Sequence, residues 1–81
     1  MFTNKTLDGK NNICGPHIYK KRVELGISQR QLADKLQIEG LNVDKNAIQR
    51  IESGKRFVTD IELNVISKTL SLTLEELLRN Y

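Results

Sequence analysis

The sequence contains three copies of the pattern Ser/Thr-x-x-Glu/Gln, each placed directly before apolar residues. In this pattern, the capping box, two side chains each bind a backbone N–H that the first helical turn leaves without a partner. The copies begin at Ser28, Thr59 and Thr73. They predict three helix starts within 81 residues, so a mainly helical fold is expected.

Two further helices are predicted by other signals. Pro16 suits the first turn of a helix that continues to about Leu25. Asp44 is a favourable N-cap, and Val43 before it can pack on Ile48 as a hydrophobic staple. No stretch has a convincing strand pattern. We therefore predict an all-α fold, a bundle of five short helices around one core.

Residues 36–46, LQIEGLNVDKN, join the second predicted helix to the third. We expect the second helix to continue to Glu39 and to end with Gly40 in a left-handed conformation, while Leu41 packs back on its last turn. The third helix should then begin after Asp44.

The chain divides into an arm and a domain. Residues 1–14 are polar, contain turn-forming residues and lack a helical repeat, so they are expected to form a flexible N-terminal arm. Residues 15–81 are expected to form the domain. No apolar run approaches the roughly 18 residues of a membrane span, and no secretory signal is visible, so a cytoplasmic location without a membrane partner is expected.

Cys14 and His17 lie close together, but no other Cys or His exists to complete a set of soft metal ligands. We interpret them as a stray thiol and an exposed imidazole. No Gly-rich phosphate loop or paired nucleophile and base is present either. An enzyme is therefore not expected, nor is any cofactor or metal.

Positive charge is concentrated early in the chain. Residues 1–56 hold eleven Lys or Arg against six Asp or Glu, whereas residues 57–81 hold two against four. Lys and Arg placed against phosphates release condensed counterions, so this distribution favours a polyanionic partner. Ordinary solvated surface charge is the alternative.

Three stretches together resemble one known family: SQRQLADKL at 28–36, AIQRIESGKR at 47–56 and DIELNVISKTLSLTLEELL at 60–78. In this order they are similar to the phage-repressor helix-turn-helix proteins, also called Cro-like or XRE-type transcriptional regulators. The resemblance covers about residues 16–78. It implies a lambda-repressor-like bundle whose second and third helices bind DNA, with the third in the major groove.

Candidate site residues follow from this resemblance and from side-chain chemistry. Arg and Lys donate to guanine, and Asn and Gln pair with adenine. The base-reading candidates on the third helix are Lys45, Asn46, Gln49 and Arg50. The phosphate-binding candidates are Ser28, Gln29, Arg30, Lys55 and Arg56, with Lys20 and Lys21 as weaker ones. The alternative for these residues is an ordinary solvent-exposed polar surface. For Ser28, the alternative is a role as a helix cap alone.

Arg22 and Glu52 match a family pair that bridges the first and third helices, and we expect them to form a structural ion pair. The sequence also departs from the family pattern. Lys21 stands where Leu is usual and Ser71 where Gly is usual. The joint is about five residues longer than the family's tight turn.

The expected function is sequence-specific binding of double-stranded DNA by a transcriptional regulator, with repression as its role. The alternative is an antitoxin-like or partner-binding regulator that acts through a protein interface. A homodimer also stays open, since two half-sites roughly 34 Å apart would increase specificity. Phe57, Val58 and the C-terminal helix with Tyr81 could supply its interface.

Overall fold

The computed structural model describes residues 4–79, so Tyr81 and the first three residues of the expected arm lie outside the described range. Between residues 4 and 79 the chain forms helices and no strand, which confirms the all-α prediction. No helix in this range is both long and apolar enough to cross a membrane. The helices are α1 Gly15–Glu24, α2 Gln29–Ile38, α3 Lys45–Glu52, α4 Asp60–Leu70 and α5 Leu74–Leu77.

All three predicted capping boxes are present. At the start of α2, the Gln31 N–H donates to Ser28 Oγ over 3.0 Å, and the Ser28 N–H donates to Gln31 Oε1 over 2.7 Å. Thr59 begins α4 and Thr73 begins α5 with the same reciprocal bonds. Asp44 caps α3 by accepting from the Ala47 N–H over 2.8 Å. These contacts span three residues, so sequence alone could locate them.

The joint between α2 and α3 has the expected left-handed turn. Gly40 has φ 96°, and the N–H groups of Gly40 and Leu41 donate to the carbonyls of Gln37 and Leu36, respectively. This pair of bonds is a Schellman motif. The Gln37 side-chain amide also donates to the carbonyl of buried Val43 over 2.8 Å. The long joint is therefore anchored at both ends.

A serine stands at the end of α4, at the position where the family resemblance implies glycine. Ser71 adopts a left-handed conformation with φ 56°. A non-glycine residue in this region carries steric strain. The Leu72 N–H donates to the Ser67 carbonyl over 3.0 Å, and the Ser67 hydroxyl donates back to the Leu72 carbonyl over 2.6 Å. These two bonds hold the turn despite the strain.

The core consists of side chains from all five helices and from the segments beside them. Each fully buried Leu or Ile contributes roughly 1.5–3 kcal/mol by leaving water. Among the described residues, the buried apolar set is Cys14, Ile18, Leu32, Ala33, Leu36, Val43, Ile48, Ile51, Ile66, Leu70 and Leu77.

Cys14 lies in this core, so its interpretation as a stray thiol was wrong. Burial raises the pKa of the thiol to about 11, because an apolar environment disfavours the thiolate. The thiol is therefore a small core side chain at neutral pH. His17 is half-buried rather than exposed, and its Nε2 lies 2.6 Å from the Arg79 carbonyl oxygen.

The start of α1 lies directly against the end of α3. The Asn12 side-chain amide donates to the carbonyls of Ile51 and Arg56 over 3.1 and 2.7 Å, and its oxygen accepts from the Gly15 N–H over 2.9 Å. A Cβ at Gly15 would come within 2.3 Å of the Ile51 carbonyl oxygen. Only glycine permits this approach, which brings residues 12–15 and α3 together.

Gly15→Ala is therefore expected to destabilise the protein by about 1–3 kcal/mol, because the blocking atom belongs to the backbone and cannot rotate away. Helix propensity alone would favour alanine by up to ~1 kcal/mol. Urea unfolding followed by circular dichroism measures the difference. Lys20→Ala, an exposed position of the same helix, is the control and should change stability by less than about 0.5 kcal/mol. Equal stability of Gly15→Ala and the parent chain would contradict the close approach.

Candidate nucleic-acid interface

Helix α3 separates an apolar face from a polar one. Ile48 and Ile51 are buried, whereas Lys45, Asn46, Gln49 and Arg50 are exposed. Within residues 4–79, none of these four exposed side chains makes a hydrogen bond or an ion pair with the protein. The exposed face of α3 therefore presents two cations and two amides to an external partner.

The N-terminus of α2 offers a second polar surface. The first backbone N–H groups of a helix have no intrahelical acceptor, and here they belong to Gln29 and Arg30. The helix dipole adds partial positive charge at this end. Arg30 is exposed, but the Gln29 side-chain amide already donates to Glu52 Oε1 over 3.0 Å. An anion here would meet mainly backbone donors, the Ser28 hydroxyl and the Arg30 guanidinium.

Arg22 on α1 and Glu52 on α3 form a bidentate ion pair. Arg22 Nε donates to Oε2 over 2.7 Å and Nη2 donates to Oε1 over 3.1 Å. The side chains are only 11% and 6% exposed, and Arg22 Nη1 also donates to the Ile27 carbonyl over 2.9 Å. The hydrogen bonds with Glu52 raise the pKa of Arg22. Three helices thus meet at one carboxylate, since Gln29 of α2 binds it as well.

The loop after α3 contains two basic residues in different environments. Lys55 is exposed. Arg56, however, forms a bidentate pair with Glu62 of α4, with Nη2–Oε2 and Nη1–Oε1 distances of 2.9 and 3.1 Å. This hydrogen bonding raises the pKa of Arg56 and lowers the pKa of Glu62. Of the two, Lys55 is the side chain available to a phosphate without breaking an internal contact.

The weaker candidates lie on α1. Lys20 is exposed and Lys21 half-buried, and both line a depression that also contains Arg79, Glu24 and Glu76. The two carboxylates offset two of the three positive charges there. They make this surface less favourable for a phosphate than the loop at Lys55.

Several contacts around the site were not predicted from the sequence. They are the Asn12 bonds to the end of α3, the Gln37 bond across the joint and the pairing of Arg56 with Glu62. The capping box identified the local role of Glu62 but not its partner. No sequence pattern predicts the hydrogen bonds of Asn12 and Gln37, because their acceptors are backbone carbonyls that only the packing of the helices brings within reach.

Helices α2 and α3 are joined by the turn at Gly40, and the structure combines the exposed polar face of α3 with the N-terminus of α2. A helix-turn-helix family model matches residues 18–77 of the chain. The chain belongs to the XRE-type helix-turn-helix family. No curated protein sequence shows significant similarity to it.

Membership of this family makes the chain a DNA-binding helix-turn-helix regulator. The matched region includes α2, the joint and nearly all of the core that supports them. The family is one of DNA-binding regulators, not of enzymes. We use the name helix-turn-helix unit for α2, the residues 39–44 and α3.

Breaking the Arg22–Glu52 pair from one side is expected to cost about 3 kcal/mol, because a largely buried charge would lose its partner. Glu52→Ala should show this loss in urea unfolding. The double variant Arg22→Met/Glu52→Leu should recover much of the stability, since no charge is then stranded. A double variant less stable than Glu52→Ala would contradict this account.

Acid should weaken the Arg56–Glu62 pair. The pKa of Glu62 in the folded protein is lowered from 4.5, chiefly by the Arg56 hydrogen bond. The stabilisation is therefore fully present above about pH 4.5 and is lost as the pH falls through the folded-state pKa. Glu62→Gln should be less stable than the parent by about 1 kcal/mol at pH 7.

That difference should shrink as the pH falls below 4.5 and through the folded-state pKa of Glu62, because the parent then loses the charge as well. Thermal unfolding at a series of pH values measures it. Glu39→Gln, at an exposed position after α2, is the control and should change stability little at every pH. If the stability difference between the parent and Glu62→Gln instead grows as the pH falls, the predicted direction of the pH dependence is wrong.

Proposed function

We propose that this regulator recognises a specific double-stranded DNA sequence by inserting α3 into the major groove. The observation that supports this proposal is the exposed face of α3, whose four polar side chains have no partner within residues 4–79. The apolar face of the same helix is fixed in the core by Ile48 and Ile51. A rigid helix with unsatisfied donors and acceptors is suited to base edges.

The chemistry of the four residues suggests a division of labour. Arg50 and Lys45 can donate to guanine N7 and O6, whereas Asn46 and Gln49 can form paired bonds with adenine. Because Lys45 and Asn46 lie in the first turn of α3, they belong to the part of a recognition helix that usually reaches the bases. Each good bidentate contact would contribute about 1–3 kcal/mol of discrimination.

Phosphate contacts would position α3 without reading sequence. On one side, Ser28, Arg30 and the backbone N–H of Gln29 would bind a phosphate at the N-terminus of α2. On the other side, Lys55 would bind the backbone beyond α3. Arg56 could reach a phosphate only by giving up Glu62, so its proposed contribution is smaller than that of Lys55.

The expected biological outcome is repression. Blocking a promoter requires only that the protein occupy its DNA site, for which the interface above suffices. Activation would require an additional contact with the transcription machinery. A reporter gene with the bound site overlapping its promoter should therefore lose expression when the protein is present, and increased expression would overturn this part of the proposal.

A homodimer on a palindromic site is the proposed arrangement on DNA, since one α3 contacts a short half-site. Phe57, in the loop before α4, is 54% exposed, and Ile61 on α4 is 71% exposed. Neighbouring exposed apolar groups of this kind favour association. Selection of bound duplexes from a random pool would reveal two inverted half-sites if the proposal holds.

The same exposed apolar side chains support the competing function, a regulator that binds another protein. Its affinity should depend weakly on salt, because an apolar interface releases few ions. DNA binding through several phosphates should instead weaken steeply between about 50 and 200 mM salt. Measurement of affinity across this range distinguishes the two functions.

Arg50→Ala and Lys55→Ala should have different effects on DNA affinity. Arg50→Ala is expected to lose about 1–3 kcal/mol of preference for the selected duplex over a scrambled one. Lys55→Ala should weaken binding to both duplexes by the same factor. It should also reduce the slope of log affinity against log salt by about 0.9. Fluorescence anisotropy with labelled duplexes measures both quantities.

Lys68→Ala is the matched control, because Lys68 is exposed on α4, outside the helix-turn-helix unit. It should resemble the parent chain on both duplexes. If Arg50→Ala and Lys55→Ala also resemble the parent, the proposed assignment of α3 to the major groove is wrong.

A further inference from the structure

The segment before α1 is attached to the loop that follows α3. The Asn11 N–H donates to the Gly54 carbonyl over 2.7 Å, and the Asn11 side-chain amide donates to the Lys55 carbonyl over 2.9 Å. Asn12 adds its bond to the Arg56 carbonyl. Three consecutive residues of the loop are thus bound by two asparagines from more than 40 residues earlier in the chain.

Lys10 lies over this loop. Gly54 has φ 80°, and a Cβ there would come within 2.7 Å of Lys10 Cδ and 3.1 Å of Lys10 Cβ. Lys10 Nζ lies 3.4 Å from the Ser53 carbonyl oxygen, yet the residue remains exposed. Because Gly54 has no side chain, the aliphatic part of Lys10 can pack over it. The ammonium group of Lys10 stays at the surface.

We propose that Lys10 is a DNA phosphate contact, which extends the interface of the helix-turn-helix unit into the segment before α1. This inference rests on the proposed function, because it requires Lys55 to face the DNA backbone. Lys10 and Lys55 come from distant parts of the chain, and both lie next to Gly54, Lys10 by packing over it and Lys55 as the next residue in sequence. Each DNA strand carries one charge per about 3.4 Å of axis, so each of two cations on one loop can neutralise a phosphate of the same DNA backbone.

The local charge supports this role. Residues 4–12 contain two lysines and one aspartate, so the segment adds net positive charge beside Lys55. The aspartate, Asp8, accepts a hydrogen bond from the Thr6 hydroxyl in the turn of residues 6–10. Lys10 is held by backbone contacts on both sides, and a pre-positioned cation loses less conformational entropy on binding a phosphate than a free one does.

A purely structural role for Lys10 would have a different signature. As a cation beside the last carbonyls of α3, it also complements the helix dipole. If that were its whole contribution, its removal would lower the stability of the fold and leave the salt dependence of DNA binding unchanged. Salt dependence therefore separates the two roles.

The test compares the full chain with Lys10→Gln, Lys10→Arg and the control Lys68→Gln on the selected duplex and on a scrambled one. Lys10→Gln should weaken binding to both duplexes by the same factor and reduce the slope of log affinity against log salt by about 0.9. Lys10→Arg should restore the parent slope, because it keeps the charge. Lys68→Gln should match the parent. Thermal unfolding of each variant is measured in parallel.

Two outcomes overturn the inference. If the parent binds DNA with a steep salt dependence and Lys10→Gln keeps that slope, Lys10 is not a phosphate contact, whatever its effect on stability. If the parent shows no salt-dependent binding to any duplex, the proposed function fails and this inference fails with it. A reduced slope for Lys10→Gln, with recovery in Lys10→Arg, supports both.

Discussion

The ion pair between Arg22 and Glu52 determines how α3 is held against α1 and α2. It joins α1 to the last residue of α3, and Gln29 brings the N-terminus of α2 to the same carboxylate. Because both charges are largely buried, a rotation of α3 that separated them would leave each without its oppositely charged partner and with little access to solvent. The orientation of the exposed face of α3 is thus coupled to the stability of the whole fold.

A second set of contacts supports the C-terminal end of α3. Asn12 binds the Ile51 and Arg56 carbonyls, and Gly15 permits α1 to approach the Ile51 and Glu52 carbonyls closely. These contacts hold the start of α1 against the last turn of α3 and the loop that follows it. The segment expected to be an arm is, in residues 10–14, part of this support. Its proposed boundary with the domain at residue 14 stays a prediction.

The joint between α2 and α3 shows that length and flexibility are separate properties. Residues 39–44 separate α2 from α3, yet the Schellman bonds at Gly40, the Gln37 bond and the burial of Val43 constrain this connection. The cap at Asp44 then starts α3 at a defined residue. A connection of this length can therefore position α3 when its own polar groups and one apolar side chain are anchored.

The sequence by itself determined where the four capped helices α2 to α5 begin, that the fold is all-α, and the family. Caps and helix faces depend on residues three or four positions apart, so local chemistry is sufficient. Only the tertiary structure decided that Cys14 is buried, that Arg56 pairs with Glu62 and that Asn12 binds the Arg56 carbonyl 44 residues away. Such contacts arise where packed helices bring distant groups together, and neither spacing nor residue type specifies the partner in advance.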